Sequence, residues 1–339
     1  MHNDKSLSQL LHWTGAILLA STVAISYLSQ FFVYGVGHAQ RPILLFLLLE
    51  MISFAAYFVA VEAVRRSEGN LWWIFFIALA CRAVLLPSQL IQESDPYRYV
   101  WDGQMVLAGE NPYCLSPSQI GDAGTTNPLA RDSHAAVIFE RINHPNVRTI
   151  YPPFAQGLFA LAQGLTPWGF GGWKAMIFIA EIVNILLLLA ILRHFGMRKE
   201  WLLLYAWCPL ILKEFSNSLH VDVFAVLFLF GMIYFLAIRW SAAAYGSLAC
   251  AVLVKWFPIL LFPLLFAWTY RESKKKAVMG ASLFLGLLAL FYMPFCLPFW
   301  EVPANAGEPY AWKRAEFVPT PPTMKSSVAL PARICPSVW

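Results

Sequence analysis

Two carboxylates, Glu93 and Asp95, stand two residues apart, directly after an apolar run and at the start of a polar stretch over residues 92–150. A carboxylate at the mouth of a membrane bundle can take a proton from a substrate hydroxyl, and a pair can hold a divalent cation. The alternative is structural. Asp is a favoured N-cap and Pro a favoured first helical residue, so Asp95 could simply cap a helix that begins at Pro96. Local spacing leaves both interpretations open.

A second group of titratable residues follows a Pro-broken apolar segment, where Glu214, His220 and Asp222 occur close together. Carboxylates and an imidazole at a membrane edge could transfer protons. Their spacing does not by itself define a metal site. The structural alternatives are that Asp222 caps the next helix and that His220 is an interfacial histidine.

Two cations complete the candidate set. Lys255 adjoins a Pro-broken helix, and Arg98 follows the first carboxylate pair. Either could hold a lipid phosphate, whereas snorkelling towards solvent or headgroups is the structural alternative.

The composition assigns the chain to a broad class. It is 59% hydrophobic and only 13% charged, whereas a soluble domain is about a quarter charged. We therefore predict an integral membrane protein. The net charge of +5 fits basic cytoplasmic loops better than nucleic-acid binding, so no nucleic-acid partner is expected. The apolar run after the first residues is interpreted as a retained span, not a signal peptide.

Hydropathy predicts an all-α polytopic membrane bundle of about nine transmembrane helices. Residues 1–295 would form this domain, and residues 296–339 an irregular tail. The first loop, residues 91–172, would carry a helix from Pro96 to Gly109 lying flat at the bilayer surface. The long apolar segments are 11–33, 42–64, 71–90, 173–192 and 277–295; the shorter ones are 154–165, 201–212, 221–238, 242–254 and 257–269.

Basic residues in short loops predict the orientation, because they favour the cytoplasmic side. If each short segment crosses once, eleven of the 24 Lys and Arg residues fall on one side. The carboxylate pair, the 214–222 group and Lys255 then converge on the extracytoplasmic side of the membrane. The eleven are Lys5, Arg65, Arg66, Arg193, Arg198, Lys199, Arg239, Arg271, Lys274, Lys275 and Lys276.

Three charges lie within predicted spans, where such groups pair or face a polar cavity. Glu50 and Arg82 lie at similar depth on adjacent antiparallel segments, which predicts an ion pair between them. Glu181 has no obvious partner in the sequence and is expected to face a cavity.

An ordered set of motifs resembles bacterial membrane glycosyltransferases of the GT-C superfamily, in the group akin to polyprenol-phosphate-mannose-dependent mannosyltransferases. The resemblance covers residues 70–295. The motifs are Ser94-Asp-Pro-Tyr-Arg-Tyr-Val-Trp-Asp-Gly, Gly109-Glu-Asn-Pro-Tyr, Ile142-Asn-His-Pro-Asn, Tyr151-Pro-Pro-Phe-Ala-Gln, Tyr205-Ala-Trp-Cys-Pro-Leu with Glu214, and His220-Val-Asp.

The resemblance implies an inverting transfer of a mannose-like hexose from a polyprenyl-phosphate donor to a hydroxyl of a glycan, lipid or protein, on the extracytoplasmic side. Asp95 would be the base, with Glu93 as the alternative base or as a metal or acceptor contact. Any metal, Mg²⁺ or Mn²⁺, would be held by Glu93 and Asp95. The donor phosphate would contact Lys255 and Arg98, and His220, Glu214 and Asp222 would line the substrate pocket.

Two other functions stay open. A transporter or flippase of lipid-linked sugars would also suit broken helices and intramembrane charges. The pattern of the family fails after Cys296, where members continue into further helices, so an inactive truncated enzyme is the third expectation.

Overall fold

The computed structural model describes residues 2–32, 41–122 and 133–296, and all regular elements in these ranges are helical. The predicted tail lies, apart from its first residue, outside the described residues. The chain divides into two compact units, each built from separated stretches of sequence. The first unit comprises Met1–Pro96 and Trp173–Leu287; the second comprises Tyr97–Gly172 and Leu288–Trp339.

The first unit contains most of the apolar helices. Helix α1 packs on α2 and α3, and α11 packs on α12. Its helices are α1 (His2–Leu28), α2 (Ile43–Arg66), α3 (Leu71–Leu85), most of α8 (Gly171–His194), α9 (Leu203–Ala206), α10 (Pro209–Ile211), α11 (Asp222–Ala237), α12 (Ser241–Val254), α13 (Phe262–Glu272) and the first part of α14 (Lys274–Cys296). Short 3₁₀ turns cover Ser29–Phe31, Lys199–Leu202 and Phe257–Leu261, and a π-helical turn covers Leu212–Asn217.

The second unit holds the polar stretch and is closed by the last turns of α14. The amide of Asn111 donates to the carbonyl of Phe295 over 2.9 Å, and the rings of Phe154 and Phe291 lie 5.3 Å apart. Its helices are α4 (Asp95–Leu107) from Tyr97 onwards, α5 (Pro117–Asp122), α6 (Ser133–Phe139) and α7 (Pro153–Leu165).

Within the described ranges, four helices are long and apolar enough to cross a membrane: Ser6–Phe31, Ile43–Arg66, Gly171–His194 and Lys274–Cys296. The all-helical prediction is therefore confirmed for the described residues and the four candidate spans agree with a membrane protein, whereas the count of nine stays a prediction. The third predicted span is shorter than expected, because α3 has 15 residues and ends at Leu85. A straight spanning helix needs about 20 residues.

The predicted Glu50–Arg82 pair is wrong. Arg82 instead binds Glu181, with its Nε and Nη2 atoms 2.7 and 2.6 Å from Oε2, and both side chains are fully buried. The guanidinium also donates to the carbonyls of Ala78 and Ala206. Glu50 and Arg82 lie at similar depths along their helices, but depth does not determine the direction in which each side chain projects. It therefore did not identify the partner of Arg82.

The hydroxyl of Tyr205 donates to the second oxygen of Glu181 and accepts a bond from Asn184 over 3.1 Å. Asn184 also donates to the carbonyl of Val223 over 3.2 Å. Glu181, which was expected to face a cavity, thus belongs to a buried polar network that joins α3, α8, α9 and α11. Charged groups within spans normally have such partners.

Helix α4 forms where predicted, and Gly109 ends it with φ +79° as Glu110 donates to the carbonyl of Met105. Every residue from Pro96 to Met105 is buried within the protein, whereas the position of this helix flat at the bilayer surface stays a prediction. Helix α7 covers a second face: a Cβ added at Gly103 would lie 2.5 Å from the carbonyl oxygen of Phe159. The backbones of α4 and α7 therefore approach closely, and this face of α4 is buried.

Candidate functional site

The centre of the candidate site is His220, which lies between two carboxylates. Its Nε2 atom is 3.0 Å from an oxygen of Glu93, and its Nδ1 atom is 2.9 Å from an oxygen of Glu214. The Nζ atom of Lys213 lies 3.2 Å from the other oxygen of Glu214. Because carboxylates accept hydrogen bonds, both ring nitrogens act as donors in this arrangement, and the imidazole is charged.

Glu93 also holds the start of α4. Its Oε1 atom accepts the backbone N–H groups of Ser94 and Asp95 at 2.8 and 3.0 Å. These N–H groups are among those that a helix start leaves without a partner in the helix, so Glu93 takes part in capping, which was one of the two interpretations of Asp95. Asp95 stands in the first turn, and its carboxylate comes within 4.8 Å of the ligand atoms of Glu93 and His220.

The hydrogen bonds of the cluster oppose the effect of burial on the three groups. Burial favours the neutral imidazole, but the bonds with Glu214 and Glu93 raise the pKa of His220 to about 9. Burial likewise resists ionisation of Glu93, yet its bonds to His220, Asp95 and Ser94 lower its pKa to about 2. The bond from His220 is also the main cause that lowers the pKa of Glu214. Near neutral pH the cluster is therefore an imidazolium between two carboxylates.

A divalent metal fits this arrangement poorly. Glu93, Asp95 and His220 are close enough to share an ion. A histidine ligand, however, must offer the lone pair of a neutral ring, and both nitrogens of His220 are engaged by carboxylates. Mg²⁺ moreover prefers oxygen ligands in octahedral geometry. The metal expected at Glu93 and Asp95 stays a prediction, and it would require His220 to give up its contacts.

The two segments that meet at His220 have unusual backbone geometry. Glu214 belongs to the π-helical turn, and its carbonyl accepts the backbone N–H of His220. Gln92 and Leu219, the residues directly before Glu93 and His220, have φ values of +53° and +59°. Non-glycine residues adopt such values at a cost and only where the surroundings hold them, often at functional sites. Here the conformations of Gln92 and Leu219 orient the side chains of Glu93 and His220 towards each other.

Asp222 and Lys255 form a separate ion pair in the first unit. The Nζ atom of Lys255 donates to both oxygens of Asp222 at 2.7 and 2.8 Å. Asp222 begins α11, and Lys255 directly follows the end of α12, so the pair joins two neighbouring helix ends. The Lys255 side chain is 45% exposed, which leaves its ammonium accessible to an anion.

Arg98 occupies a different setting, inside the second unit. Its Nε atom donates to Asp102 over 2.7 Å and its Nη1 atom to the carbonyl of Val147 over 2.8 Å. Asp102 is fully buried, and the amide of Gln156 lies 3.4 Å from its second oxygen. Arg98 is only 8% exposed, so its first role is to neutralise Asp102. The i, i+4 spacing of the two residues on α4 could have indicated this pair.

The structure thus brings Glu93, Asp95, Glu214 and His220 together, and it pairs Asp222 with Lys255. Sequence reasoning missed Asn217 and Lys174, which hold the segment before Glu93. A lone amide and a lone lysine in apolar surroundings gave no signal of this role. Comparisons with family models, with curated proteins and with solved structures find no match.

Proposed function

We propose that this protein is an integral-membrane glycosyltransferase. It would move a mannose-like hexose from a polyprenyl-phosphate donor to an acceptor hydroxyl, with inversion, on the extracytoplasmic side. The observation that carries the proposal is the cluster of Glu93, Asp95, Glu214 and His220, in which side chains from two separated segments meet beside apolar helices. The side chains of Glu93 and His220 are 18% and 22% exposed, so substrate can reach them.

The cluster supports Asp95 as the base in preference to Glu93. Both oxygens of Glu93 accept hydrogen bonds, and its lowered pKa makes it a weak base. In the proposed step Asp95 takes the proton of the acceptor hydroxyl while the hydroxyl oxygen forms a bond to the anomeric carbon. The bond from that carbon to the phosphate oxygen breaks, and the phosphate leaves with the electron pair.

A cation must stabilise the phosphate as it leaves. Lys255 is the better of the two predicted candidates, because its ammonium is half-exposed whereas Arg98 is buried against Asp102. Binding of a phosphate would require Lys255 to exchange Asp222 for the new anion. The acidic cluster itself would repel a phosphate, which favours separate positions for proton transfer and phosphate binding.

A flippase of lipid-linked sugars is the second candidate, and the buried Arg82–Glu181 pair favours it. Ionisable pairs inside spans occur along the pathways of transporters. Reconstituted vesicles discriminate between the two. Transfer yields a glycosylated product, whereas a flippase moves the intact lipid-linked sugar to the other leaflet without forming one.

The test of the enzyme compares Asp95→Asn with Glu93→Gln in membranes supplied with radiolabelled polyprenyl-phosphate hexose, with products identified by mass spectrometry. Asp95→Asn keeps the size of the side chain but cannot take a proton, so transfer should fall about a hundred- to ten-thousand-fold. Glu62→Gln is the control, since Glu62 is an exposed carboxylate paired with Arg65 and Arg66 on α2. It should transfer normally.

Two other results would change the assignment. Near-normal transfer in Asp95→Asn together with an inactive Glu93→Gln would make Glu93 the base. Normal transfer in both variants would leave the two carboxylates as structural groups and remove the main support for an enzyme.

A further inference from the structure

Asn217 uses its whole amide to tie down the segment before the carboxylate pair. Its Oδ1 atom accepts the backbone N–H of Ile91 over 3.3 Å. Its Nδ2 atom donates to the hydroxyl of Ser88 over 3.0 Å and to the carbonyl of Gln89 over 2.8 Å. A side-chain amide has two donor hydrogens, so both are used. The side chain is only 1% exposed.

The place of Asn217 in the chain gives these bonds their significance. It is the last residue of the π-helical turn that carries Glu214. The segment that it binds runs directly into the strained Gln92 and then Glu93. One side chain therefore joins the two segments whose carboxylates lie on either side of His220.

Lys174, in the first turns of α8, holds the same segment from another direction. Its Nζ atom donates to the carbonyls of Leu86 and Ser88 at 2.7 and 2.8 Å. The carbonyls at the end of a helix lack partners within it, and a lysine can satisfy them. The chain between α3 and α4 is thus fixed by α8 and by the π-helical turn.

We propose that Asn217 is a positioning residue that sets the separation between Glu93 and Glu214, so that His220 bridges both. A residue with positive φ, such as Gln92, keeps that conformation only while its surroundings impose it. Without the three bonds of Asn217 the backbone at Gln92 is free to relax, and Glu93 moves away from the imidazole. The catalytic consequence rests on the proposed function, whereas the geometric role does not.

The bridge can be measured without turnover, by the titration of His220 in NMR spectra of histidine-labelled protein in detergent. Loss of the signal in His220→Gln assigns it among the seven histidines. The groups that face the ring are Glu93 and Glu214, with Asp95 and Lys213 beyond them. In the unchanged protein the midpoint should lie at about 9.

In Asn217→Ala the midpoint should fall towards the ordinary value of 6.5, a rise of tenfold or more in the proton dissociation constant. Asn184→Ala is the matched control. Asn184 is a fully buried amide of the first unit that binds Tyr205 and Val223 instead of the segment before Glu93. It should leave the midpoint unchanged. An equal fall in both variants would show general loosening and overturn the proposal.

If Asn217→Ala does not fold, Ser88→Ala provides a second test. It removes only one of the three hydrogen bonds that Asn217 makes. It should shift the midpoint in the same direction by less, and an unchanged midpoint would overturn the proposal. If the enzyme proposal also holds, kcat should fall about a hundredfold in Asn217→Ala with KM little changed, as expected for a misplaced reacting group. Failure to detect any sugar transfer would leave the histidine titration as an independent result.

Discussion

The Arg82–Glu181 pair permits a quantitative test of the fold. Both side chains are fully buried, and the guanidinium makes two contacts of 2.6–2.7 Å with one carboxylate oxygen. Removing one partner of a buried pair costs about 3–5 kcal/mol, because the remaining charge lies in a medium of low dielectric constant. Replacing both partners by apolar residues of similar size costs less, since no charge is left behind.

The structure predicts which single change is worse. After Glu181→Met the guanidinium cannot lose its charge, and only the carbonyls of Ala78 and Ala206 partly solvate it. The cost should approach about 5 kcal/mol. After Arg82→Met the carboxylate of Glu181 keeps the hydroxyl of Tyr205 as a hydrogen-bond donor, so the cost should be nearer about 3 kcal/mol.

The assay is the free energy of unfolding in mixed micelles for both single variants and the double variant. The double variant should be more stable than Glu181→Met, with a coupling of about 2–3 kcal/mol. Glu50→Met combined with Arg82→Met is the control and should be additive. Additive behaviour of Arg82 with Glu181, and coupling of Arg82 with Glu50, would refute the structure in favour of the pair that the sequence suggested.

Three further predictions concern the cluster and the topology. The raised pKa of His220 means that its stabilising contribution is complete below 6.5 and lost as pH rises through about 9. The lowered pKa of Glu93 means that its contribution is present above 4.5 and lost as pH falls towards about 2. The difference in Tm between the unchanged protein and His220→Gln should thus be largest at pH 4.5–6.5, and a constant difference would argue against the charged bridge. Mg²⁺ or Mn²⁺ should not raise the Tm at neutral pH, whereas a metal-dependent rise would show that His220 releases its carboxylates. Gln119→Cys should react with an impermeant thiol reagent from outside the cell and Lys275→Cys only from inside; the reverse result would invert the proposed orientation.

The sequence predicted the helical membrane class and the groups that form the cluster better than it predicted side-chain partners. Length and apolar composition are sufficient to identify α8 and α14 as candidate spans. The choice between Glu50 and Glu181 depends on how α2 and α8 are rotated about their axes. Helices that are apolar on all sides carry no periodic signal that determines such a rotation.

The burial of α4 was not predicted, for a related reason. Aromatic residues on a helix with polar neighbours suit a membrane interface, but they suit a buried layer equally well when the polar groups find partners. Here Arg98 neutralises Asp102 within the helix, and Gln104 donates to Gln163 across to α7. The contact between Gln104 and Gln163 depends on an element distant in sequence, and Asn217 was missed because its partners are mostly backbone groups more than a hundred residues away.

The discontinuous second unit has a consequence for biosynthesis. Asn111 and Phe154 leave the ribosome long before Phe295 and Phe291, the residues of α14 that they contact. At about 5–20 residues per second, the intervening chain takes on the order of ten seconds to make. During that interval the nascent chain presents apolar and hydrogen-bonding groups without their final partners. Assembly of this unit is therefore completed only late in translation, and a change in elongation rate over α11 to α13 would alter how long the incomplete form is exposed to chaperones and proteases.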